Sequence, residues 1–184
     1  SSSTEVISNF SFSTPLSSTS KFGFYNPSLP DSSKFRSKTI EWDKVKNGEI
    51  YQLDVIFNYY ENNLPKRLVW SKDKEVFTGS SMQSELEGIK FFNFLALALN
   101  DTTFEGVRVF VDLDLVMTVG TENLNTYIKV NEPIIGIAQQ RPQFTNINNG
   151  IGIFSSRYTY IQKSIGLSTE TRNYLTDKLD RQFQ

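Results

Sequence analysis

The stretch VRVFVDLDLVMTVG, residues 107 to 120, carries the clearest structural pattern of the chain. Apolar residues occupy every odd position from 107 to 119, and most of the residues between them are polar. Successive side chains of a β-strand point to opposite faces of a sheet, so this alternation predicts a long strand with one buried and one solvent-exposed face. Gly120 is expected to end the strand, because glycine weakens strand structure.

A second strand is predicted upstream, over residues 50 to 60. Its odd positions are all aromatic or aliphatic, and polar residues occupy much of the other parity. The sequence ENNLP, residues 61 to 65, is rich in turn-forming residues and is expected to reverse the chain. One or two short strands should follow, at residues 67 to 70 and at residues 76 and 77.

Three helices are predicted from capping signals and apolar spacing. Ser84 and Glu87 form the S-x-x-E pattern of a capping box, which satisfies two backbone amides at the start of a helix. A helix should therefore run from residue 85 to about residue 99, and its apolar second half is expected to be covered on several sides. Shorter helices are predicted near 121–131 and near 168–180, the last one capped near Ser168.

Together these elements predict an α+β, β-rich fold, with an antiparallel sheet or sandwich flanked by one buried helix and short C-terminal helices. A chain of 184 residues without an obvious repeat is expected to form a single domain over residues 1–184. Residues 1–20 are rich in Ser and Thr and predict a flexible start or an edge strand. Residues 21–39 hold several turn-forming residues and predict a surface loop.

Composition excludes several classes of function. Nineteen basic and 20 acidic side chains leave a formal net charge of -1, so nucleic acid is not an expected partner. The chain has no histidine, which removes Ser-His-Asp triads and imidazole metal sites, and no cysteine, which removes thiolate nucleophiles and disulfides. We therefore expect no cofactor and no enzymatic activity.

Aromatic residues are the first candidates for a binding site. Exposed aromatic rings stack on sugars or anchor protein partners, and the candidates for this role are Tyr25, Trp42, Tyr60 and Trp70. The alternative for each ring is packing in the core or under a loop.

The second candidates are Asp112 and Asp114, which should lie on the same face of the strand. Two carboxylates about 7 Å apart suit a hard cation or glycoside chemistry. The alternative is a pair of solvated acidic residues with Arg108 as their partner on that face.

The segment TNINNGIGIFSSR, residues 145 to 157, combines glycines with an apolar run. A dinucleotide fingerprint is not indicated, because strand-like rather than helical sequence follows the glycines. We instead predict a turn followed by a strand through residues 151 to 161. The motif residues, assigned to turn formation and core packing, are Thr145, Asn146, Gly150, Gly152 and Phe154.

The sequences GTENLNTYIKV, EPIIGIAQQRPQFTNI and NNGIGIFSSR resemble the C-terminal part of uncharacterised lipoproteins of Bacteroidetes, whose hallmark is a TNI-x-x-G-x-GIF segment. The likeness covers roughly residues 107 to 165. It implies a β-rich protein that is exported by a signal peptide, lipidated on an upstream cysteine and held at the outer membrane, facing the periplasm or the surroundings. TonB-dependent transporters are frequent associates of such proteins.

The resemblance leads to a functional hypothesis: a lipid-anchored extracytoplasmic accessory or binding protein without catalytic activity, associated with nutrient uptake at the outer membrane. Its partner would be a TonB-dependent transporter or a glycan. The start SSSTEV has no leader-like sequence and is expected to follow a targeting segment upstream. The alternatives are a glycan- or small-ligand-binding module that uses exposed aromatics and, with less support, a glycoside hydrolase that uses carboxylates alone.

Overall fold

The computed structural model describes residues 7, 10–14, 16–72, 75–76, 81–101, 103–131, 144–150 and 152–184. The described residues form an α+β, β-rich fold, as the sequence predicts. The strands are β1 (Lys21–Phe22), β2 (Ser37–Asp43), β3 (Ile50–Glu61), β4 (Leu64–Ser71), β5 (Glu75–Val76), β6 (Ser81–Glu87), β7 (Arg108–Gly120) and β8 (Arg157–Leu167). The helices are α1 (Gly88–Ala98), α2 (Glu122–Asn131) and α3 (Thr169–Asp177).

Two sheets contain these strands. The main sheet has the order β1-β8-β7-β3-β4, and β5 pairs with the first two residues of β3. Its pairings are antiparallel except that between β1 and β8. The second sheet consists of β2 and β6, which pair antiparallel along their whole length. The predicted antiparallel sheet is therefore confirmed.

A two-residue turn joins β3 to β4. Its residues, Asn62 and Asn63, have φ angles of 50° and 65°. Asparagine tolerates this left-handed conformation better than other non-glycine residues, and two consecutive positive φ angles are typical of the turns that connect twisted strands. The reversal predicted from ENNLP is confirmed.

The long strand predicted at residues 107–119 exists as β7, but its alternation breaks near its N-terminal end. The pairing of β3 with β7 shifts so that Asn58 lies opposite Asp112 and Tyr59 opposite Phe110, which leaves Val111 as an extra residue, a β-bulge. Beyond the bulge the buried parity changes. Val109 and Val111, predicted to be buried, are therefore 41% and 42% exposed.

The hydrophobic core lies between the two sheets and α1. Trp42 of β2 approaches Tyr51 of β3, with ring centroids 6.1 Å apart, and so links the sheets. Phe91 of α1 stacks on Phe24 at 4.6 Å and lies 6.1 Å from Phe57 of β3. Stacked and tilted aromatic pairs of this kind add to the stability gained from burial alone.

The predicted capping box at Ser84 is wrong. Ser84 to Glu87 lie in β6, where Ser84 and Leu86 are buried and Glu85 is exposed, a strand alternation. Pairing with β2 outweighs the local capping signal, and α1 begins only at Gly88, with no side-chain hydrogen bond from its cap residue Glu87.

The other helix predictions have mixed outcomes. Leu97 of α1 is 77% exposed, so the expected cover on several sides is wrong at that position. The two shorter helices are confirmed as α2 and α3. Ser168 caps α3 as predicted, because its hydroxyl accepts a hydrogen bond from the backbone N–H of Thr171. No helix in the described part of the chain is long and apolar enough to cross a membrane.

The N-terminal segment joins the edge of the smaller sheet. Phe12 bridges Trp42 of β2, and the Ser13 N–H donates to the carbonyl of Glu41 at 2.8 Å. The segment 21–39, predicted as a loop, contains β1, a 3-10 turn at Asp31–Ser33 and the first three residues of β2. The predicted strand residues Phe77 and Ile151 lie outside the described residues.

Candidate functional site

The face of the main sheet that points away from the core is polar in its middle and ends in a cleft under α2. We call this face the open face, and its members include Gln52, Ile56, Asn58, Asp112, Asp114, Val116 and Thr118. These side chains are half-buried. Helix α2 contacts β3 at the end of the open face where β7 ends.

The α2 cleft is a cavity of about 300 Å³ between this helix and the sheet. Its lining residues are Ile50, Gln52, Thr118, Gly120, Leu124, Ile128 and Arg157. Small-molecule pockets in proteins begin at about this volume and combine apolar walls with a few polar groups. The α2 cleft has that composition.

Local sequence explains how the cleft forms. Leu124 and Ile128 are four residues apart in α2, so their side chains lie on the same face of the helix. At Gly120 a Cβ atom would lie 2.7 Å from Leu124 Cδ2 and 2.9 Å from Ile50 Cγ2. The absence of a side chain therefore lets the helix approach the sheet.

Arg157 supplies the positive charge of the α2 cleft. It is the first residue of β8, lies opposite Gly120 in the register with β7 and is exposed. Within the part of the chain that the structure describes, its guanidinium makes no ion pair. It can therefore bind a carboxylate or phosphate with two parallel hydrogen bonds.

Gln52 and Thr118 are the other polar groups of the cleft. The Gln52 amide nitrogen donates to Asp54 Oδ1 at 3.2 Å and to the carbonyl of Lys72. Its amide oxygen is then left to accept a hydrogen bond, and the Thr118 hydroxyl can both donate and accept.

Asp112 and Asp114 lie on the open face, as predicted, but outside the lining of the cleft. The Asn58 amide nitrogen donates to Asp112 Oδ1 at 2.8 Å and to Asp114 Oδ2 at 3.1 Å. Asp114 Oδ1 also accepts from the backbone N–H of Ser164, whose φ is 62° at an irregularity in β8. Through these hydrogen bonds the two carboxylates connect β7 to β3 and to β8, close to where the strand pairing is irregular.

The partner expected for these carboxylates is elsewhere. Arg108 was predicted on their face, but the bulge at Val111 turns it inward, where it is 2% exposed and donates to Glu61 Oε2 at 2.9 Å. No cluster of three or more His, Cys, Asp or Glu residues suited to a metal ion occurs among the described residues.

The four predicted aromatic residues are separated in the fold. Trp42 is 2% exposed and belongs to the core, so its ring cannot serve as an exposed platform. Tyr25 packs with Tyr174, and Trp70 stacks on Phe94. Tyr60 alone is clearly exposed, at 43%. None of the four lines the α2 cleft.

Residues 145–150 and 152–154 form a surface turn that side-chain hydrogen bonds close. The Asn146 amide nitrogen donates to the carbonyl of Phe154 at 2.6 Å, and the Phe154 N–H donates back to Asn146 Oδ1 at 2.7 Å. The Thr145 hydroxyl donates to the carbonyl of Gly150 at 3.1 Å. Asn149 and Gly152 have φ angles of 59° and 139°, which confirms the predicted turn.

Two other predictions for this segment are wrong. Phe154 is 57% exposed, so it does not pack in the core. The strand predicted at 151–161 begins only at Arg157 and runs to Leu167. The reciprocal hydrogen bonds of the Asn146 side chain occupy the Phe154 backbone groups that a strand would pair.

Burial in the core raises the pKa values of tyrosine side chains. Burial raises the pKa of Tyr59, the negative charge of Glu61 adds to the increase, and Arg108 opposes it. The pKa of Tyr51 is raised for the same main reason, although its hydroxyl also accepts from the Val45 N–H at 3.1 Å. Both tyrosines lie in the core, and neither lines the α2 cleft.

The raised pKa of Tyr59 predicts a loss of stability at alkaline pH. The folded state keeps the phenol proton at pH values where the unfolded chain releases it. This stability is fully present below about pH 10, the ordinary tyrosine pKa, and is lost as the pH rises through the higher folded-state pKa. We expect Tyr59→Phe to make the free energy of unfolding fall less steeply above about pH 10. Urea unfolding over a pH series measures this, with Tyr60→Phe as an exposed control, and equal slopes for the wild type and Tyr59→Phe would contradict it.

Sequence reasoning missed the α2 cleft. Apolar spacing predicts the helix near 121–131, but the side on which α2 docks depends on the turn at Gly120. Comparison with known protein families, with curated proteins and with solved structures finds no match.

Proposed function

We propose that this protein is a non-catalytic binding protein that holds the aliphatic part of a small carboxylate-bearing ligand in the α2 cleft. One observation carries the proposal: apolar walls meet, in one cavity, a guanidinium that has no ion-pair partner among the residues the structure describes. The walls come from Ile50, Leu124 and Ile128, and the guanidinium is that of Arg157.

The lining favours an aliphatic chain over a sugar. Glycan sites use aromatic rings against the faces of the sugar, and none of the lining residues within the described ranges is aromatic. A carboxylate would bind Arg157 at the exposed rim, and the chain behind it would cover Leu124 and Ile128. Burying those side chains on binding contributes affinity roughly in proportion to the apolar area removed from water.

Binding without catalysis also agrees with the chemistry of the chain. Histidine and cysteine are absent from the sequence. Asp112 and Asp114 lie on the open face outside the lining of the cleft, and their oxygens accept hydrogen bonds from Asn58 and Ser164. A general acid or base needs a reacting group within hydrogen-bond reach, and none of the described residues that line the cleft carries a carboxylate.

For location and partners, the proposal rests on the C-terminal resemblance. We propose an extracytoplasmic, lipid-anchored protein that assists nutrient uptake at the outer membrane, with a TonB-dependent transporter as its associate. In that setting the α2 cleft would take up a ligand outside the cytoplasm.

The test is titration of the protein with octanoate and, as the uncharged match, octanol. We expect octanoate to raise the melting temperature in a saturable manner, because a ligand of the native state stabilises it by mass action. Octanol should bind more weakly, because it lacks the charge that Arg157 recognises. Isothermal titration calorimetry measures both affinities.

Two variants locate the site. Leu124→Trp should fill the cleft and abolish binding of both ligands, whereas Arg157→Gln should weaken octanoate binding and leave octanol unchanged. Leu97→Ala, at an exposed position of α1, is the control and should bind like the wild type. Octanoate binding that survives Leu124→Trp, or no binding to the folded wild type, would overturn the proposal.

A further inference from the structure

On the side away from β7, most of strand β8 has no partner strand among the described residues. On that side it pairs with β1 only at Gly166 and Leu167. From residue 157 to residue 164, no strand in the described part of the chain pairs with this edge. Because every second residue of a strand turns its N–H and C=O away from its neighbour, this edge carries backbone groups that no described strand pairs.

The opposite edge of the main sheet, formed by β4, is protected against pairing with another strand. The edge of β8 lacks these protecting features. Strand β4 begins Leu64-Pro65-Lys66-Arg67. Proline lacks the N–H that a strand donates, and charged side chains discourage pairing with another strand. Residues 157 to 162 of β8 contain neither proline nor glycine. The irregularity of β8 lies between the paired residues Gln162 and Ile165, and Lys163 is the last residue that continues the exposed alternation.

Side chains along this edge alternate between a covered and a free side. Phe10 and Phe12 pack against Tyr160 from the core side, each with ring centroids 5.6 Å from it. The exposed side chains on the other side are Arg157, Thr159, Ile161 and Lys163. Ile161 lies opposite Val116 of β7 and is 47% exposed, so an apolar residue on an added strand would extend this cross-strand contact.

The charges of Arg157 and Lys163 determine which kind of strand can pair with the edge of β8. Among the described residues, neither Arg157 nor Lys163 forms an ion pair. If two copies of this edge paired antiparallel about Tyr160, Arg157 of each copy would lie opposite Lys163 of the other. Like charges in directly opposed positions destabilise a strand pair, whereas opposite charges stabilise it. Self-association is thus disfavoured, and an acidic strand is favoured.

We infer that β8 is a docking edge for an extended acidic segment of another protein, which adds to the main sheet as an antiparallel strand. Acidic residues of that segment lie opposite Lys163 and Arg157, and a β-branched apolar residue lies opposite Ile161. The pattern read along the partner is acidic-x-apolar-x-Thr-x-acidic. This site is separate from the apolar walls of the α2 cleft, and only Arg157 contributes to both.

The experiment uses two synthetic peptides, acetyl-Glu-Thr-Val-Thr-Thr-Thr-Glu-amide and the same peptide with Lys in place of both Glu residues. Isotope-edited NMR follows the amides of residues 157 to 163 during titration, and hydrogen exchange measures their protection. We expect the acidic peptide to shift these amides saturably and slow their exchange, and the Lys peptide to bind about tenfold more weakly.

A charge swap separates strand addition from general attraction of acidic peptides. Lys163→Glu should weaken the acidic peptide and strengthen the Lys peptide, while octanoate binding in the α2 cleft stays unchanged. Lys129→Glu, on α2, is the matched control and should change neither peptide. Absence of binding, equal binding of the two peptides, or chemical-shift changes located outside β8 would each overturn the inference. Dimers of the protein that form through β8, detected by sedimentation, would also overturn it.

Discussion

Replacing Arg108 by methionine is expected to lower the free energy of unfolding by about 3 kcal/mol, the low end of the cost of breaking a buried ion pair. The side chain of Arg108 is 3% exposed and that of its partner Glu61 is 23% exposed. Methionine fills much of the same volume, so the loss comes from the charge and its hydrogen bonds, not from a large cavity.

The surroundings of Arg108 explain the size of this effect. Its guanidinium lies 4.0 Å from the ring centre of Phe104 and donates to the carbonyl of Arg181 at 3.1 Å. Its backbone N–H donates to the carbonyl of Gln182 at 2.8 Å, and its carbonyl accepts from the Gln184 N–H at 3.0 Å. The side chain therefore helps to hold the segment that contains the buried Phe183.

Chemical denaturation monitored by circular dichroism measures the change. Arg172→Met is the control, because Arg172 is exposed and lies 5.8 Å from the ring centre of Phe110. An exposed cation-π contact contributes about 0.5–1 kcal/mol, so this control should lose no more than that. Equal losses in the two variants would contradict the importance of the buried pair.

Gly88→Ala is expected to lower the free energy of unfolding by about 3 kcal/mol, the upper end of the cost of overpacking. A Cβ atom at this position would lie 2.6 Å from the carbonyl oxygen of Arg36 and still closer to that of Phe24. Both are backbone atoms and cannot rotate away. The Gly88 N–H also donates to the Arg36 carbonyl at 2.9 Å, which fixes the first turn of α1 against the chain.

Gly23→Ala is the matched control for this substitution. Its Cβ would meet only the Ser168 side chain, with Oγ at 3.6 Å, an ordinary contact. We expect the control to stay within about 0.5 kcal/mol of the wild type, as for most substitutions away from special features. Thermal and urea unfolding measure both variants, and a Gly88→Ala protein as stable as Gly23→Ala would show that α1 can shift.

The two central strands were predictable because a single physical rule governs them. One face of β3 and the second half of β7 are buried against α1 and the smaller sheet, so the alternation of polarity is strict. The bulge at Val111 was not predictable, because it depends on how Asn58 and Tyr59 pair across to β7. That one residue moves Arg108 from the open face into a buried ion pair.

Predictions from local sequence were wrong where pairing with a distant strand stabilises the chain more than the locally favoured structure does. The capping box at Ser84 is a valid helix signal, but the strand from Ser37 to Asp43 pairs with the same residues. The α2 cleft likewise depends on the docking of a helix against a sheet, which no local pattern encodes. The polar candidates Asp112 and Asp114 were placed on the correct face, but their hydrogen-bond partners come from other strands.

The pairing of β1 with β8 has a consequence for the order in which the protein folds. Lys21 and Phe22 pair with Gly166 and Leu167, and the Phe24 N–H donates to the Thr171 hydroxyl. During synthesis the first of these segments leaves the ribosome long before the second exists. Phe22 and Phe24 are both fully buried in the folded protein, and this burial cannot be completed until the second segment has been made. Closing so long a loop has a large entropic cost before any contact rewards it, so we expect slow folding with the main-sheet edge completed last.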